Sequence, residues 1–415
     1  MIRLFFEMVF QAAATFRSAS ATLELVREYL PDVDRTPTAW CGELWVMRIG
    51  LYELYRPKEQ VSDRVWIMDH TVQVGTTKCL LIVGVRLSWW QEQRRPLEHG
   101  DLEILTLEPI DNSDGEAVRI QLESTADLVG EPRAIVSDQG TDLKRGIEAY
   151  RQDHPETVAV NDIAHKVASL VKRDLEDQDR WGEFLQHMGR TKLQLQQTQL
   201  ALLMPPTPKN KSRYMNLEEL VNWGGRALAF VDHPPAVEGI PVDRQKLQDK
   251  VGWIQDFRED LTRWQGLLKV ISITLEYVRY EGYHRRAARE LKQRLQPFLN
   301  HTYHRSITAQ MLAFVKQQSA LAAPGERIVG SSECLESLIG TGKRIERQQS
   351  KSGFTKLVLA MAAAVAKPTA EYIQEALAAV STKDLYEWGR EILGRSVQSQ
   401  RRIAFAHVDS GTKSG

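Results

Sequence analysis

Cysteine is scarce in this sequence of 415 residues. The three cysteines, Cys41, Cys79 and Cys334, show no CxxC spacing, which predicts neither a zinc site of the usual kind nor a disulfide framework. This sparing use of cysteine is typical of a reduced, intracellular protein, so we expect a cytoplasmic location.

Long apolar runs are also lacking. No stretch reaches the roughly 20 apolar residues that a membrane-spanning helix needs, so we expect no membrane partner. The opening MIRLFFEMVFQAAATF has the length of a signal peptide, but Glu7 and Gln11 interrupt it, and we predict an amphipathic helix instead. The apolar run LVLAMAAAVA at 357–366 is too short to span a membrane and predicts a buried helix.

The chain carries no net charge, because 54 Lys and Arg balance 54 Asp and Glu. This argues against a wholly basic nucleic-acid binder, although local basic faces stay open. A hydrophobic content of 42% and a charged content of 26% are those of an ordinary globular protein. The length predicts two or three domains.

Residues 1–58 predict a helical N-terminal region. The segment FRSASATLELVREYL has helical spacing and stops at Pro31, and a second helix begins in RTPTAW with Thr36 or Thr38 as its N-cap and Pro37 near its first turn. Two helices joined by a short turn fit a helix-turn-helix. A helical hairpin without a role in DNA binding fits the same pattern equally well.

From residue 59 the pattern changes to strands with helices between them. The order is β-β-β-α-β-α-β-α, which predicts an α/β fold with a mixed sheet and helices packed on it. The strand-like runs are RVWIMDHTVQVG, KCLLIVGVRL, LEILTLEPI, RAIVSD and ETVAVND, and the helical segments are GEAVRIQLESTADLVG, TDLKRGIEAYRQ and a long helix that begins near His165.

Three carboxylates stand out by position. Asp69 follows VWIM at the end of the first predicted strand, Asp138 follows AIVS at the end of the fourth, and Glu336 lies on a late helix in SSECLESLIG. If the first and fourth strands are neighbours, the aspartates lie together at the sheet edge, and a helix packed across that edge brings Glu336 to them. Each also has a plainer explanation, as a turn or N-cap aspartate or as a solvent-facing glutamate.

A cluster of these carboxylates would call for a cation. Ionised carboxylates repel one another, and a divalent cation such as Mg²⁺, which prefers carboxylate and water oxygens, removes that cost. Two such ions about 3.5–4 Å apart can activate an attacking oxygen and stabilise a leaving one in an in-line phosphoryl transfer. The hypothesis is therefore a Mg²⁺ site, in which Mn²⁺ would substitute, with Asp69, Asp138 and Glu336 as ligands.

Three passages taken together resemble those of DDE transposases with an RNase H-like catalytic core. The likeness is to the branch with an all-helical insertion before the last acid, which includes Mutator-like elements, hAT-like elements and several bacterial insertion-sequence families. WIMDHTVQVG is similar to the first-acid strand, AIVSDQGTDLKRGI to the second-acid strand and its helix, and SSECLESLIG to the last-acid helix. The resemblance implies that Asp69, Asp138 and Glu336 are the catalytic acids and metal ligands.

The resemblance also implies a division of the chain. The RNase H-like core would occupy 59–170 and 326–366, the second part carrying the final acid, and the helical insertion would occupy 171–325. Residues 367–415 would form C-terminal helices and a disordered polar tail, VDSGTKSG.

Some residues of the implied site have alternatives. These transposases carry a Cys or Asp, two residues and a His after the second acid, and NDIAHK supplies Asp162 and His165 in a role that supports the active site. A helix N-cap with a histidine one turn later explains the pair equally well. Glu333 is the second choice for the third acid. Further candidates are Glu276, Glu281 and Glu290. The segment YHRRAARE, which ends at Glu290, is similar to the Tyr-Arg-Glu helix of another transposase branch.

The function implied is hydrolysis of a phosphodiester at each end of a DNA element, followed by transfer of the 3′-hydroxyl into target DNA. The partners would be the terminal inverted repeats, the target DNA and further copies of the chain, in a homodimer or larger assembly. Two alternatives stay open: a catalytically silent, domesticated transposase that only binds DNA, and a nuclease on the same fold. The cations expected at DNA phosphates are Arg285, Arg286, Arg289, Lys343, Arg344, Arg347 and Lys351.

Overall fold

The chain folds into helices around one sheet. The computed structural model describes residues 1–27, 29, 35–74, 77–93, 95–111, 113–138, 140–209, 214–234, 243–348, 355–395 and 397–411. The helices are α1 (Ile2–Phe10), α2 (Phe16–Arg27), α3 (Ala39–Tyr55), α4 (Leu87–Glu92), α5 (Gly115–Val129), α6 (Thr141–Asp153), α7 (Ile163–Glu176), α8 (Asp179–Leu195), α9 (Leu217–Asp232), α10 (Arg244–Val251), α11 (Arg258–Glu281), α12 (Ala287–Arg294), α13 (Gln296–Leu299), α14 (Arg305–Ser319), α15 (Glu333–Glu346), α16 (Leu359–Ala363), α17 (Ala370–Ala379), α18 (Thr382–Glu391) and α19 (Val397–Gly411).

The sheet has five strands in the order β3-β2-β1-β4-β5. Neighbours β1 and β2, and β2 and β3, run antiparallel, whereas β4 is parallel to both β1 and β5. The predicted mixed α/β sheet is therefore confirmed. The first and fourth strands are neighbours, which was the condition for the aspartates to lie together. The strands are β1 (Arg64–Val74), β2 (Thr77–Arg86), β3 (Glu103–Ile110), β4 (Ala134–Ser137) and β5 (Val158–Asn161).

The central strands are continuous apolar runs because helices cover both faces of the sheet. Val65 to Met68 of β1 and Ala134 to Val136 of β4 are fully buried, as expected for strands with no face toward water. One face packs on α5 and α6 through side chains that alternate along the strands, including Trp66, Met68 and Ile135. The other face lies against α3, α15 and α16, which contact β1 and β3.

Two compact units make up the chain. Unit 1 comprises Met1–Asn161 and Ser331–Gly415 and contains the sheet, whereas unit 2 is Asp162–Gly330 and contains α7 to α14. Unit 2 is held by an aromatic core in which Trp264 lies with its ring centroid 4.8 Å from that of Trp181 and 5.0 Å from that of Phe184. The predicted helical segment 171–325 lies within unit 2.

Helix α3 begins at the predicted cap, because the Thr38 hydroxyl accepts a hydrogen bond from the Cys41 amide at 3.2 Å. Its middle is buried, from Val46 to Leu51 along one side, and it packs on α16 so closely that a Cβ at Gly50 would lie 2.1 Å from the Leu359 carbonyl oxygen. A DNA-reading helix exposes only the face that enters the groove, so this burial agrees with both alternatives. The helix-turn-helix and the helical hairpin both stay predictions.

Several local predictions differ from the structure. Asp69 is not at the end of its strand, because pairing with β2 carries β1 on to Val74. The segment YHRRAARE, which is similar to a helix of another transposase branch, is not helical from its start, because Tyr283 forms a bridge with Ile328 and α12 begins only at Ala287. The predicted disordered tail from residue 408 begins within α19, which extends to Gly411.

Within the described ranges, each helix is too short or too polar to cross a membrane.

Candidate active site

Asp69 comes directly after the last residue of β1 that pairs with β4. The parallel register pairs Met68 with Ser137, so Asp69 and Asp138 both come directly after this pair. The Asp69 side chain is half-buried, and its Oδ1 accepts a hydrogen bond from the His70 amide at 2.7 Å. The carboxylate is thereby oriented by the backbone of its own strand.

Asp138 follows the end of β4, in the loop that leads into α6. It is half-buried, and its Oδ1 accepts a hydrogen bond from the Gly140 amide at 2.9 Å. A Cβ at Gly140 would lie 2.9 Å from this same oxygen. The loop therefore holds the carboxylate by a close approach that favours glycine at this position.

Asp69 points away from α5 and α6. Side chains alternate along a strand, and Trp66 and Met68 point toward α5 and α6, so Asp69, which still lies in β1, points to the opposite face. Thr71, two residues after Asp69, points to that face as well, since its hydroxyl lies 3.6 Å from the Met361 sulfur on α16. Helix α15 packs against β1, and this helix carries Glu336.

Glu336 lies in the first turn of α15, as does Glu333. Leu335 and Leu338 are fully buried around it, and the Ser332 hydroxyl donates a hydrogen bond to Glu336 Oε1 at 3.0 Å. Glu333 Oε2 instead accepts from the Ser331 hydroxyl at 3.2 Å. Both carboxylates lie near the positive end of the helix dipole, which favours negative charge at this position.

The three predicted ligands do not surround one point. All three are described residues, and their carboxylate oxygens do not all lie within 4.8 Å of one another. A set of acids that serves two cations need not converge on one point, because two-metal sites spread their ligands over ions about 3.5–4 Å apart. The three side chains, one on β1, one in the loop after β4 and one on α15, are carboxylates, and Mg²⁺ and Mn²⁺ prefer such oxygen donors.

Asp162 is the N-cap of α7. Its buried carboxylate accepts a hydrogen bond from the His165 amide at 2.8 Å and lies 2.9 Å from His165 Nδ1. These contacts are those of the alternative prediction, a helix N-cap with a histidine one turn later, and they explain the presence of Asp162 and His165 without a catalytic role. The supporting role implied by the resemblance stays a prediction.

The predicted DNA-binding cations that the structure describes divide into three groups. Arg285, Arg286 and Arg289 are exposed at the start of α12, and none forms an ion pair with a described carboxylate. On α15 and just after it, Lys343 and Arg347 are exposed. Arg344 instead donates to the Val9 and Ala13 carbonyl oxygens at 2.9 and 3.1 Å, so its guanidinium is taken by a contact within unit 1. Lys351 lies outside the described residues.

Sequence reasoning missed a group of polar side chains on the other face of the sheet. His70 Nε2 lies 3.0 Å from the Ser113 hydroxyl, and Lys78 Nζ lies 2.6 Å from Asp142 Oδ2. Burial lowers the pKa of His70, although the carboxylates of Asp142 and Asp138 oppose this effect. The available signal was strand alternation, which sends His70 to the face opposite Asp69.

Comparison with protein-family models gave no match to this sequence, and comparison with curated proteins gave none either.

Proposed function

We propose that this protein is a DNA transposase. It would hydrolyse a phosphodiester bond at each end of its element and then join the freed 3′-hydroxyl to target DNA. One observation carries the proposal: Asp69 and Asp138 follow paired residues of neighbouring parallel strands, and α15, the helix of Glu336, packs against one of these strands. This is the order of acids in the transposase passages that the sequence resembles.

An RNase H-like core is part of the proposal. An antiparallel meander of three strands followed by two parallel strands, in the spatial order 3-2-1-4-5, supports it. The chain leaves unit 1 after Asn161 and returns to it at Ser331, between the second and the third proposed acid. This interruption by a helical unit agrees with the branch that carries an insertion before its last acid.

The donor set fits a divalent cation, since all three proposed ligands are carboxylates. Mg²⁺, or Mn²⁺ in its place, would be held by Asp69, Asp138 and Glu336 and would neutralise charge on a reacting phosphate. The chain's own contribution would be positioning, because phosphoryl transfer needs the attacking and leaving oxygens in line. Asp69 lies on a strand whose preceding residues are buried, Asp138 accepts a hydrogen bond from its own loop, and Glu336 lies on a packed helix, so these acids have little freedom to move.

The expected partners are the terminal inverted repeats and target DNA. With zero net charge, affinity for DNA must come from local cationic surfaces and must fall with salt. We define the α12 strip as the exposed side chains Arg285, Arg286, Arg289 and Lys292, and we propose that it contacts DNA phosphates. Joining two element ends requires that they meet, so we also propose a homodimer or larger assembly acting in the cytoplasm.

The experiment that tests this function is a cleavage and joining assay in Mg²⁺. The substrate is duplex DNA taken from the ends of the genomic element that encodes the chain, with a supercoiled plasmid as target. Wild type is compared with Asp69→Asn and Asp138→Asn. The matched control is Asp127→Asn, the same change at an exposed position of α5 in the same unit.

The proposal predicts nicking and joining by wild type and by the control, and loss of both reactions in the two site variants. Nicking without joining would favour a nuclease on the same fold. A wild type that binds the ends but never cuts them, in Mg²⁺ or in Mn²⁺, would overturn the catalytic proposal and favour a protein that only binds DNA.

A further inference from the structure

Four polar side chains form a network on the α5 and α6 face of the sheet, and we call them the Asp142 network. Asp142, in the first turn of α6, has its Oδ2 2.6 Å from Lys78 Nζ, 3.3 Å from Ser113 Oγ and 3.8 Å from His70 Nδ1. Ser113 Oγ lies a further 3.0 Å from His70 Nε2. The network joins β1, β2, the segment before α5 and the start of α6.

The network is not arranged as a hydrolytic triad, although it contains Ser, His and Asp. The distance of 3.8 Å from His70 Nδ1 to Asp142 Oδ2 is too long for the hydrogen bond that orients a catalytic imidazole. That carboxylate oxygen is paired with Lys78, and the Ser113 hydroxyl lies near it as well. A structural role fits these contacts better than nucleophilic catalysis.

The network connects the two segments that carry the proposed acids. His70 follows Asp69 directly, so fixing its ring fixes the backbone of β1 at that acid. Asp142 begins the helix that the loop of Asp138 leads into, and a Cβ at Gly140 would lie 2.9 Å from Asp138 Oδ1 and 3.4 Å from Asp142 Oδ1. The Asp138 and Asp142 carboxylates therefore both lie close to Gly140, where a side chain would contact them.

Asp142 is ionised at neutral pH. Burial raises the pKa of its carboxyl, but the hydrogen bond from Lys78 and the nearness of His70 outweigh that effect, so its pKa lies below the ordinary value. The Asp142 and Lys78 side chains are 16% and 30% exposed. An ion pair this well covered is less screened than one on the open surface and can hold α6 against β2.

We propose that Asp142 and Lys78 are positioning residues that hold the Asp138 loop against β1 and thereby set the separation of Asp69 and Asp138 for a divalent cation. The inference rests on the proposed function, because it assumes that these two aspartates bind a metal. It assigns to the α5 and α6 face of the sheet a part in metal affinity.

The test uses Mn²⁺ binding to the full chain without DNA, measured by isothermal titration calorimetry. The variants are Asp142→Asn and Lys78→Gln, which remove opposite charges from the same ion pair. If charge alone mattered, losing Asp142 would weaken Mn²⁺ binding and losing Lys78 would strengthen it. Positioning predicts that both variants bind Mn²⁺ more weakly, by about tenfold, the lower end of what loss of an outer partner costs a metal site.

The matched control is Glu123→Gln, which removes a carboxylate from a contact with His154 on the same layer of helices but away from the acids. Its Mn²⁺ affinity should equal that of wild type. Circular dichroism checks that each variant is folded. If Asp142→Asn or Lys78→Gln does not fold, Ser113→Ala is used in its place. This substitution removes the hydroxyl between His70 and Asp142 without a change of charge. It should also weaken Mn²⁺ binding.

The outcomes separate this inference from the proposed function. If wild type binds Mn²⁺ but Lys78→Gln binds it equally well or more tightly, the positioning role is wrong and the function stands. If wild type neither binds Mn²⁺ nor cuts DNA, the proposed function fails, and the inference fails with it.

Discussion

Asp69 and Asp138 each follow one member of a single strand pair, because Met68 of β1 lies opposite Ser137 of β4 in parallel register. The two acids come from distant parts of the sequence, and the parallel pairing of β1 with β4 places each of them directly after a member of this pair. The account of function depends on this relationship and on what the two carboxylates bind.

The identity of the third acid can be tested on α15. We expect Glu336→Gln to lower cleavage by more than about 100-fold, the upper end of what loss of an outer partner costs a metal site, and Glu333→Gln to retain most of it. Both glutamates lie in the first turn, so each variant should lose a similar helix-dipole contribution of about 0.3–1 kcal/mol. Equal melting temperatures with unequal cleavage would then locate the acid.

The reverse pattern, with Glu333→Gln inactive and Glu336→Gln active, would move the third acid to Glu333. Full activity in both variants would remove α15 from the site.

The α12 strip makes a prediction about salt. The triple variant Arg285→Gln, Arg289→Gln, Lys292→Gln should bind DNA with a shallower dependence of affinity on salt. The slope of log affinity against log salt should fall by about 0.9 for each DNA phosphate that the variant no longer neutralises, measured by fluorescence anisotropy across a salt series.

The control for this experiment removes three positive charges from exposed side chains that lie on different helices of unit 2, outside the α12 strip. It combines glutamine substitutions at Lys172, Arg226 and Lys246. An α12-strip variant whose slope equals that of wild type would exclude the strip from the DNA-binding surface.

His154 makes a prediction about pH. Burial lowers the pKa of this histidine, but contacts with Glu123 at 2.9 Å and Glu131 at 3.2 Å outweigh that effect, so its pKa is raised. A histidine whose pKa is raised by folding stabilises the fold below its unfolded pKa of about 6.5, and the gain is lost as the pH rises through the folded pKa. His154→Gln should therefore cost more stability at pH 5.5 than at pH 8.

We expect the difference to be about 0.5–1 kcal/mol, as for partly exposed ion pairs, and to appear as a larger shift of the urea midpoint at the lower pH. A midpoint shift of equal size at both pH values would show that the two glutamates do not stabilise the charged imidazole.

Gly130 ends α5 and makes a prediction about stability. Its φ of +84° is disfavoured for residues with a Cβ, and a Cβ there would lie 2.7 Å from the Val61 carbonyl oxygen. Gly130→Ala should cost at least about 1–2 kcal/mol and lower the melting temperature. Gly340→Ala is the control, because Gly340 is helical with open space around it, and alanine there should stabilise by about 0.5–1 kcal/mol.

Local pattern was enough to find the strands. RAIVSD and KCLLIVGVRL are continuous apolar runs, and both became strands close to the predicted bounds. The glycine stop of α5 was also predictable, because Gly130 adopts a positive φ at the C-cap. In these segments the local preference and the tertiary environment agree.

The features that the local pattern did not predict depend mostly on contacts between distant segments. Tyr283 leaves the helical pattern because its amide donates to the Ile328 carbonyl at 2.8 Å. Helix α4 was missed because LSWW continues the apolar pattern of β2. Strand alternation predicts the face on which His70 lies, but not its partners in the Asp142 network, since Ser113 and Lys78 meet Asp142 only after the sheet and α6 have packed.

The central claim is that Asp69 and Asp138 hold a divalent cation. The most direct measurement is anomalous diffraction at the manganese edge from crystals of wild type and of Asp138→Asn soaked in MnCl₂. The account predicts a peak about 2.1 Å from a carboxylate oxygen of each aspartate in wild type and its loss in the variant. A wild-type site with no peak at saturating Mn²⁺, or a peak that persists in Asp138→Asn, would contradict it.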